Sequence, residues 1–206
     1  MNHMIKMKKT AKTLDTVCNV AKVILTVGLV CCGVALAILL AAWIFDLAPE
    51  SIGTGYETLE IGFLSIDMAQ GYVPDKQMTL IFVAVEIALA GLGILVGCFA
   101  LNAVKNILAP MKEGAPFSDA VAENLKKLSV YAVVLGVLSN VGNLGQVLFF
   151  QYGYGVEEML LSDKVRGVTV NYEMDLGFLL IAAVLLLFSY VFRYGQELQK
   201  QSDETL

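Results

Sequence analysis

One acidic side chain lies inside an otherwise uncharged apolar segment of this 206-residue chain. Glu86 falls within the apolar run 78–101, and the run 128–150 carries the amides Asn140 and Asn143. An acidic group at the centre of a membrane helix costs about 2.5–3.5 kcal/mol, so it needs a polar partner. At a rise of about 1.5 Å per residue in antiparallel helices, the depths of the two amides bracket the depth of Glu86. We therefore predict a buried polar cluster in which Glu86 hydrogen-bonds Asn140 or Asn143.

This cluster has two interpretations. A carboxyl group within a membrane can carry protons or cations, which would make the protein a small transporter or a transporter accessory. Hydrogen bonds between helices also simply fix their register, and the helix face of Glu86 continues through the small residues Ala90, Gly93 and Gly97. We favour the second interpretation, because no basic partner accompanies the acid.

Groups that perform covalent chemistry do not converge elsewhere in the sequence. The single histidine is His3, and the four cysteines (Cys18, Cys31, Cys32 and Cys98) include no Cys-x-x-Cys pair. The glycine-rich run 91–97 lies inside an apolar segment, where it indicates helix packing rather than phosphate binding. We predict no catalytic residue, no metal site, no cofactor and no enzymatic activity.

The composition explains which elements hold these residues. Apolar residues make up 57% of the chain and charged residues 16%, against about 45–50% and about 25% in a soluble domain. The excess falls in four runs, 23–45, 78–101, 128–150 and 176–192, each near the roughly 20 residues that cross a bilayer. We predict an all-α membrane protein in which residues 1–206 form one integral domain with four transmembrane helices in a lipid bilayer. The first run is longer than the apolar core of a secretory signal, so we expect it to be retained.

The distribution of basic residues predicts the orientation of the chain. Eleven of the 14 lysines and arginines lie before the first run, between the second and third runs, or after the fourth. Cytoplasmic segments are enriched in these residues, so we expect a multi-pass protein of the cell membrane with both termini cytoplasmic. The net charge of −5 provides no basic field for nucleic acid, and we predict no direct nucleic-acid binding.

The segments between the runs contain further predicted elements. Polar and apolar residues alternate over 56–66, which predicts a strand or short hairpin in the first outer loop. The segment 165–172 also favours β structure, so the two segments could form a small sheet that caps the outer face. Such a cap could sense a ligand or could be a plain packed loop, and we favour the packed loop.

The loop between the second and third runs has stronger local signals. Pro110 is predicted to end the second helix, because proline disfavours helical geometry in the residue before it. A turn over 114–118 follows, with Ser118 as the expected N-cap of the next helix. Residues 119–128 are predicted to form an amphipathic lead-in at the membrane surface, which anchors the chain or docks a partner. We favour anchoring.

Several of these features occur together in one known family. Four spans, the turn Gly114-Ala-Pro-Phe-Ser118, the segment 192–199 and the ending Asp203-Glu-Thr-Leu206 resemble the bacterial domain of unknown function 2975 family. The resemblance implies an integral membrane protein without an established activity. It also implies a neighbouring gene for a small helix-turn-helix regulator. No catalytic residue can be transferred, because the family has none assigned.

Two functional hypotheses follow. The first is a non-enzymatic membrane regulator or anchor that binds a small helix-turn-helix transcription regulator at its cytoplasmic face. Its candidate partner-binding residues lie in the turn and in the tail, which should continue the fourth span as a helix: Phe117, Ser118, Gln196, Glu197, Asp203, Glu204 and Leu206. The alternative is the transporter that uses Glu86. The sequence leaves homo-oligomerisation open.

Overall fold

Four long helices make up most of the protein. The computed structural model describes residues 2–45, 58–61, 64–67, 76–114, 117–153, 172 and 174–204. The helices are α1 (Asn2–Ile44), α2 (Lys76–Glu113), α3 (Asp119–Gly153) and α4 (Gly177–Glu204). Each of them is long and apolar enough to cross a membrane. The prediction of a helical protein with four candidate membrane spans is therefore confirmed.

The exposure of apolar side chains agrees with a lipid environment. In α1, none of the most apolar 18-residue window is buried, and the corresponding share is 6% in α2 and 11% in α4. Exposure of such apolar surface to water costs about 25 cal/mol per Å², whereas its exposure to the hydrocarbon of a bilayer does not. Helices suit this environment because each pairs its backbone groups within its own segment.

The helix that contains the second apolar run continues past Pro110, so the prediction that it ends there is wrong. Helix α2 extends to Glu113, and Gly114 follows with a positive φ of 95°. The amide of Gly114 donates to the carbonyl oxygens of Pro110 at 3.1 Å and Met111 at 3.3 Å. A glycine in the left-handed region is a common helix C-terminus, since it has no Cβ to oppose that conformation. The glycine therefore ends α2, and the proline removes only one hydrogen bond from its last turns.

Residues 119–128 form the first turns of α3, so the predicted helical lead-in is continuous with the helix that contains the third apolar run. Helix α3 runs without interruption from Asp119 to Gly153. The carbonyl oxygen of Ser118 accepts hydrogen bonds from the amides of Val121 and Ala122, which places Ser118 at the N-cap position as predicted. Its Oγ makes no capping hydrogen bond to any residue that the structure describes. Val121 is fully buried, so the apolar stripe of this segment packs within the protein.

The tail continues the fourth helix, as the sequence predicts. Helix α4 begins at Gly177, whose amide donates to Oδ1 of Asp175 at 2.7 Å, and it extends to Glu204. A side-chain acceptor at this position satisfies one of the amide groups that the first helical turn leaves unpaired. The helix therefore extends about 12 residues beyond the apolar run that ends at residue 192.

Two short strands lie between α1 and α2 and overlap the interval 56–66, for which the sequence predicts a strand or hairpin. Strand β1 (Thr58–Ile61) pairs antiparallel with β2 (Leu64–Asp67). In this register Thr58 is opposite Asp67 and Ile61 is opposite Leu64. The second β-favouring segment, 165–172, lies outside the described residues except for Tyr172.

The chain divides into two compact units. The first contains Met1–Val30, Gly91–Leu138 and Asp175–Leu206, and the second contains Cys31–Ala90 and Ser139–Met174. Segments of all four helices belong to the first unit. The residues predicted for partner binding belong to the first unit, and Glu86, Asn140 and Asn143 belong to the second.

Candidate functional site

Three polar pairs join α1 to α2 within the first unit, and we call them the polar ladder. The pairs are Lys22–Asn102 (Nζ to Oδ1, 2.9 Å), Lys105–Asn19 (Nζ to Oδ1, 2.7 Å) and Lys112–Asp15 (Nζ to Oδ2, 2.6 Å). The α1 residues are spaced four and three positions apart, so they share one face of the helix. Their α2 partners follow in the reverse order, as antiparallel helices require.

The ladder begins where the apolar runs end. Lys22 comes directly before the run 23–45, and Lys105 follows the run 78–101 by four residues. The ion pair of Asp15 is further from the apolar segment, eight residues before Val23. The hydrogen bond from Lys112 lowers the pKa of the Asp15 carboxyl group, and the charge of Lys105 acts in the same direction.

Apolar contacts support the ladder. Ala11, Cys18 and Leu108 are buried, and Leu101, Val104 and Met111 pack against them. Within the apolar runs, a methyl group on Gly97 would lie 3.4 Å from Leu25, and one on Gly28 would lie 3.4 Å from Ile94. These are ordinary van der Waals distances, so α1 and α2 remain in contact beyond their polar pairs.

Buried polar groups join α3 to its neighbours in the same unit. Oγ of Ser189 in α4 donates to the carbonyl oxygen of Ala122 in α3 at 2.7 Å. Asn124 is buried, and its amide nitrogen donates to the carbonyl oxygen of Ala120 at 2.7 Å. Nδ2 of Asn106 in α2 approaches Oδ1 of Asn124 at 3.5 Å. These contacts position the start of α3 against both α2 and α4.

The turn before α3 packs against α4 through an aromatic pair. The rings of Phe117 and Phe192 have centroids 5.6 Å apart and are tilted by 40°. A methyl group on Gly195 would lie 2.8 Å from two atoms of the Phe117 ring, so only glycine permits this approach. We define the Phe117 platform as Phe117, Ser118, Phe192, Gly195 and Gln196.

The structure brings some of the predicted partner-binding residues together but buries part of them. Phe117 retains 43% exposure, whereas Gln196 is buried at 8% exposure. Oγ of Ser118 is buried and has no hydrogen-bond partner among the residues that the structure describes. Glu197 and Glu204 are exposed on α4. The side chain of Asp203 and all of Leu206 lie outside what the structure describes.

In the second unit, Glu86 lies against α3 but faces glycines instead of amides. A methyl group on Gly145 would lie 3.3 Å from Oε1 of Glu86, and one on Gly142 would lie 3.7 Å from Oε2. Within the described part of the chain, Oε1 of Glu86 is buried and has no hydrogen-bond partner.

The two predicted amide partners are placed elsewhere, which corrects the predicted cluster. Asn140 is buried, and its Oδ1 and carbonyl oxygen accept from the Tyr172 hydroxyl at 2.8 and 2.9 Å. Asn143 is exposed. Counting residues fixes depth along a helix but not rotation about it, and Asn143 points about 100° away from Gly142.

The reactive groups of the described chain remain dispersed. All four cysteines are free thiols. Over the residues with described positions, no group of three or more histidine, cysteine, aspartate or glutamate side chains could hold a metal ion.

Sequence reasoning missed the polar ladder, although a signal for it exists. The spacing of Asp15, Asn19 and Lys22 places polar groups on one helix face directly before an apolar run. Such a face predicts a polar partner helix when another helix ends at the same level.

Comparison of the chain with family models, curated proteins and solved structures finds no match. The resemblance to the domain of unknown function 2975 family therefore stays a prediction.

Proposed function

We propose that this protein is a non-enzymatic membrane regulator or anchor that binds a small helix-turn-helix transcription regulator at its cytoplasmic face. The observation that supports this proposal best is the contact of Phe117 with Phe192 and Gly195. Through it, the turn before α3 and the tail helix, which are far apart in sequence, form one surface. A partner could therefore contact both elements at once.

The exposed residues around the Phe117 platform suit a protein partner. Asp119, Arg193 and Glu197 are exposed and directly follow platform residues in the sequence. Leu198 is 48% exposed and lies one helical turn beyond Gly195, on the same side of α4. An apolar centre with a charged rim is typical of surfaces that bind another protein.

The orientation is part of the proposal. Eleven of the 14 basic residues lie in the segments that we assign to the cytoplasm, which are the N-terminal segment, the segment between α2 and α3, and the tail. With this orientation, the platform faces the compartment that contains transcription regulators. The β1–β2 hairpin would then lie on the outer face.

Co-purification tests the proposal. The full chain, a variant without residues 197–206 and the Phe117→Ala variant would each be co-expressed with the small helix-turn-helix regulator that the family resemblance implies beside the gene. We expect the regulator in the membrane fraction with the full chain and at least a tenfold loss with both variants. Phe188→Ala is the matched control, since Phe188 is 47% exposed in α4 and lies in its apolar part. Equal recovery with all four chains would contradict the proposal.

The environment of Glu86 supports a second candidate function, transport of protons or cations. Its buried Oε1 has no hydrogen-bond partner within the described residues, and two glycines of α3 lie beside it. A carboxyl group of this kind can exchange a proton without breaking a pair. Proteoliposomes with a pH-sensitive dye test this function, with Glu86→Gln as the variant and the exposed Glu123→Gln as control. Flux that is lost only with Glu86→Gln supports transport, and absence of flux in the unmodified protein excludes a proton path.

A further inference from the structure

A groove on the flank of the polar ladder combines two basic groups with apolar walls. It has a volume of about 420 Å³, and its lining residues come from α1 and from the end of α2: Asn19, Lys22, Val23, Thr26, Val27 and Lys105. The hydroxyl of Thr26 donates to the carbonyl oxygen of Lys22 at 2.8 Å. It therefore leaves the ammonium groups of Lys22 and Lys105 available to a ligand.

Neither lysine of the groove contacts a carboxylate directly within the described part of the chain. Lys22 and Lys105 donate to amide oxygens, at 2.9 and 2.7 Å, and neither forms an ion pair among the described residues. Each ammonium group has three donor hydrogens, so two remain after the amide contact. The carboxylate of the ladder is that of Asp15, and Lys112 binds it at 2.6 Å. The ladder therefore holds three ammonium groups against one carboxylate.

The position of the groove matches the boundary between apolar and polar segments. Its basic groups lie at the ends of two apolar runs, and its walls continue into the first run through Val23 and Val27. These valines are 64% and 57% exposed. A ligand that fits must combine an anionic group at the polar end with hydrocarbon at the other.

We propose that this groove binds the phosphate headgroup of an anionic phospholipid from the leaflet adjacent to the ladder. The phosphate oxygens would accept from the ammonium groups of Lys22 and Lys105, and the acyl chains would lie along Val23 and Val27. Basic pockets between membrane helices are known to bind anionic headgroups in this manner. Charge-assisted hydrogen bonds would hold the phosphate, and net charge would provide the selectivity, because a zwitterionic lipid carries a cationic group that the two lysines repel.

Native mass spectrometry of the full chain in detergent tests the proposal, with phosphatidylglycerol and phosphatidylcholine as probes. We expect preferential retention of phosphatidylglycerol. The variant Lys22→Gln with Lys105→Gln should bind it about thirtyfold more weakly, from about 1 kcal/mol per lysine and a factor of ten per 1.4 kcal/mol. The control is Lys126→Gln with Lys127→Gln, which removes the same charge from exposed positions of α3.

A second pair of substitutions keeps the test valid if the glutamine variant loses its fold. Lys22→Arg with Lys105→Arg retains both charges and should retain the preference for phosphatidylglycerol. Equal binding of the two lipids by the unmodified chain would overturn the proposal, and so would an equal loss with the control variant. Complete competition by millimolar inorganic phosphate would also overturn it, because the site would then hold a free anion without help from acyl chains.

Discussion

The contact between Gly136 of α3 and Phe178 of α4 gives a prediction that can be worked out in magnitude. A methyl group on Gly136 would overlap the ring of Phe178 and would lie 2.5 Å from its Cβ. Rotation of the ring cannot relieve the contact with Cβ, because that atom is fixed to the α4 backbone. Overpacking of this kind costs typically 1–3 kcal/mol, and we expect Gly136→Ala to reach the upper end of this range.

Gly93→Ala is the matched comparison. Gly93 also lies inside a helix in an apolar run, but a methyl group there would meet no atom within 4 Å. Both substitutions gain about 1 kcal/mol of helix propensity, which cancels in the comparison. The Gly136→Ala variant should therefore be less stable than the Gly93→Ala variant by about 3 kcal/mol, the full overpacking cost.

Unfolding of the purified variants in mixed detergent micelles measures this difference in the free energy of unfolding. A double-mutant cycle with Phe178→Ala should show that the cost of Gly136→Ala largely disappears once the ring is removed. If the variants of Gly136 and Gly93 unfold equally, or if the cycle shows no coupling, α3 and α4 do not meet at this point. The reasoning about their packing would then be refuted.

Three further predictions concern the first unit. Gly114→Ala should destabilise the protein by about 1–2 kcal/mol, because alanine resists the left-handed conformation that ends α2; chemical unfolding measures this. Ser189→Ala should cost about 1 kcal/mol of unfolding free energy, through loss of its buried hydrogen bond to α3, whereas the exposed Ser139→Ala should cost little. The pKa of Asp15 is lower in the folded protein than in the unfolded chain, where it is about 4. Its pair with Lys112 therefore stabilises the protein fully above pH about 4, and this contribution is lost as the pH falls further. A pH titration of stability should show a smaller acid-induced loss in Asp15→Asn than in the unmodified chain; equal losses would contradict this assignment.

The sequence predicts the helices well because their cause is local. In a membrane, an apolar run of about 20 residues without proline can pair its backbone groups within its own segment only as a helix. The same locality explains the N-cap position of Ser118 and the helical tail. Proline disfavours helical geometry in the residue before it, which predicts an end at Pro110, whereas in this helix the positive φ of Gly114 decides where it ends.

Contacts between helices were predicted less well, because they depend on rotation about each helix axis. The depth of Glu86 was sufficient to predict that it lies against α3, but not that it faces Gly142 and Gly145. Tyr172, which binds Asn140, lies in a segment with no clear helical or apolar pattern. The polar ladder required knowledge of which two helices are neighbours, and a single sequence does not supply it.

The central claim is that the polar ladder and the Phe117 platform lie on the cytoplasmic side of the membrane. Fusions to two reporter proteins test it most directly. A fluorescent protein that folds only in the cytoplasm would be fused after residue 206, and a phosphatase active only outside would be fused after residue 70. We expect a fluorescent C-terminal fusion and an active phosphatase after residue 70. A dark C-terminal fusion together with an inactive phosphatase would place both surfaces outside the cell. The proposed orientation would then be wrong, and no transcription regulator could reach the Phe117 platform.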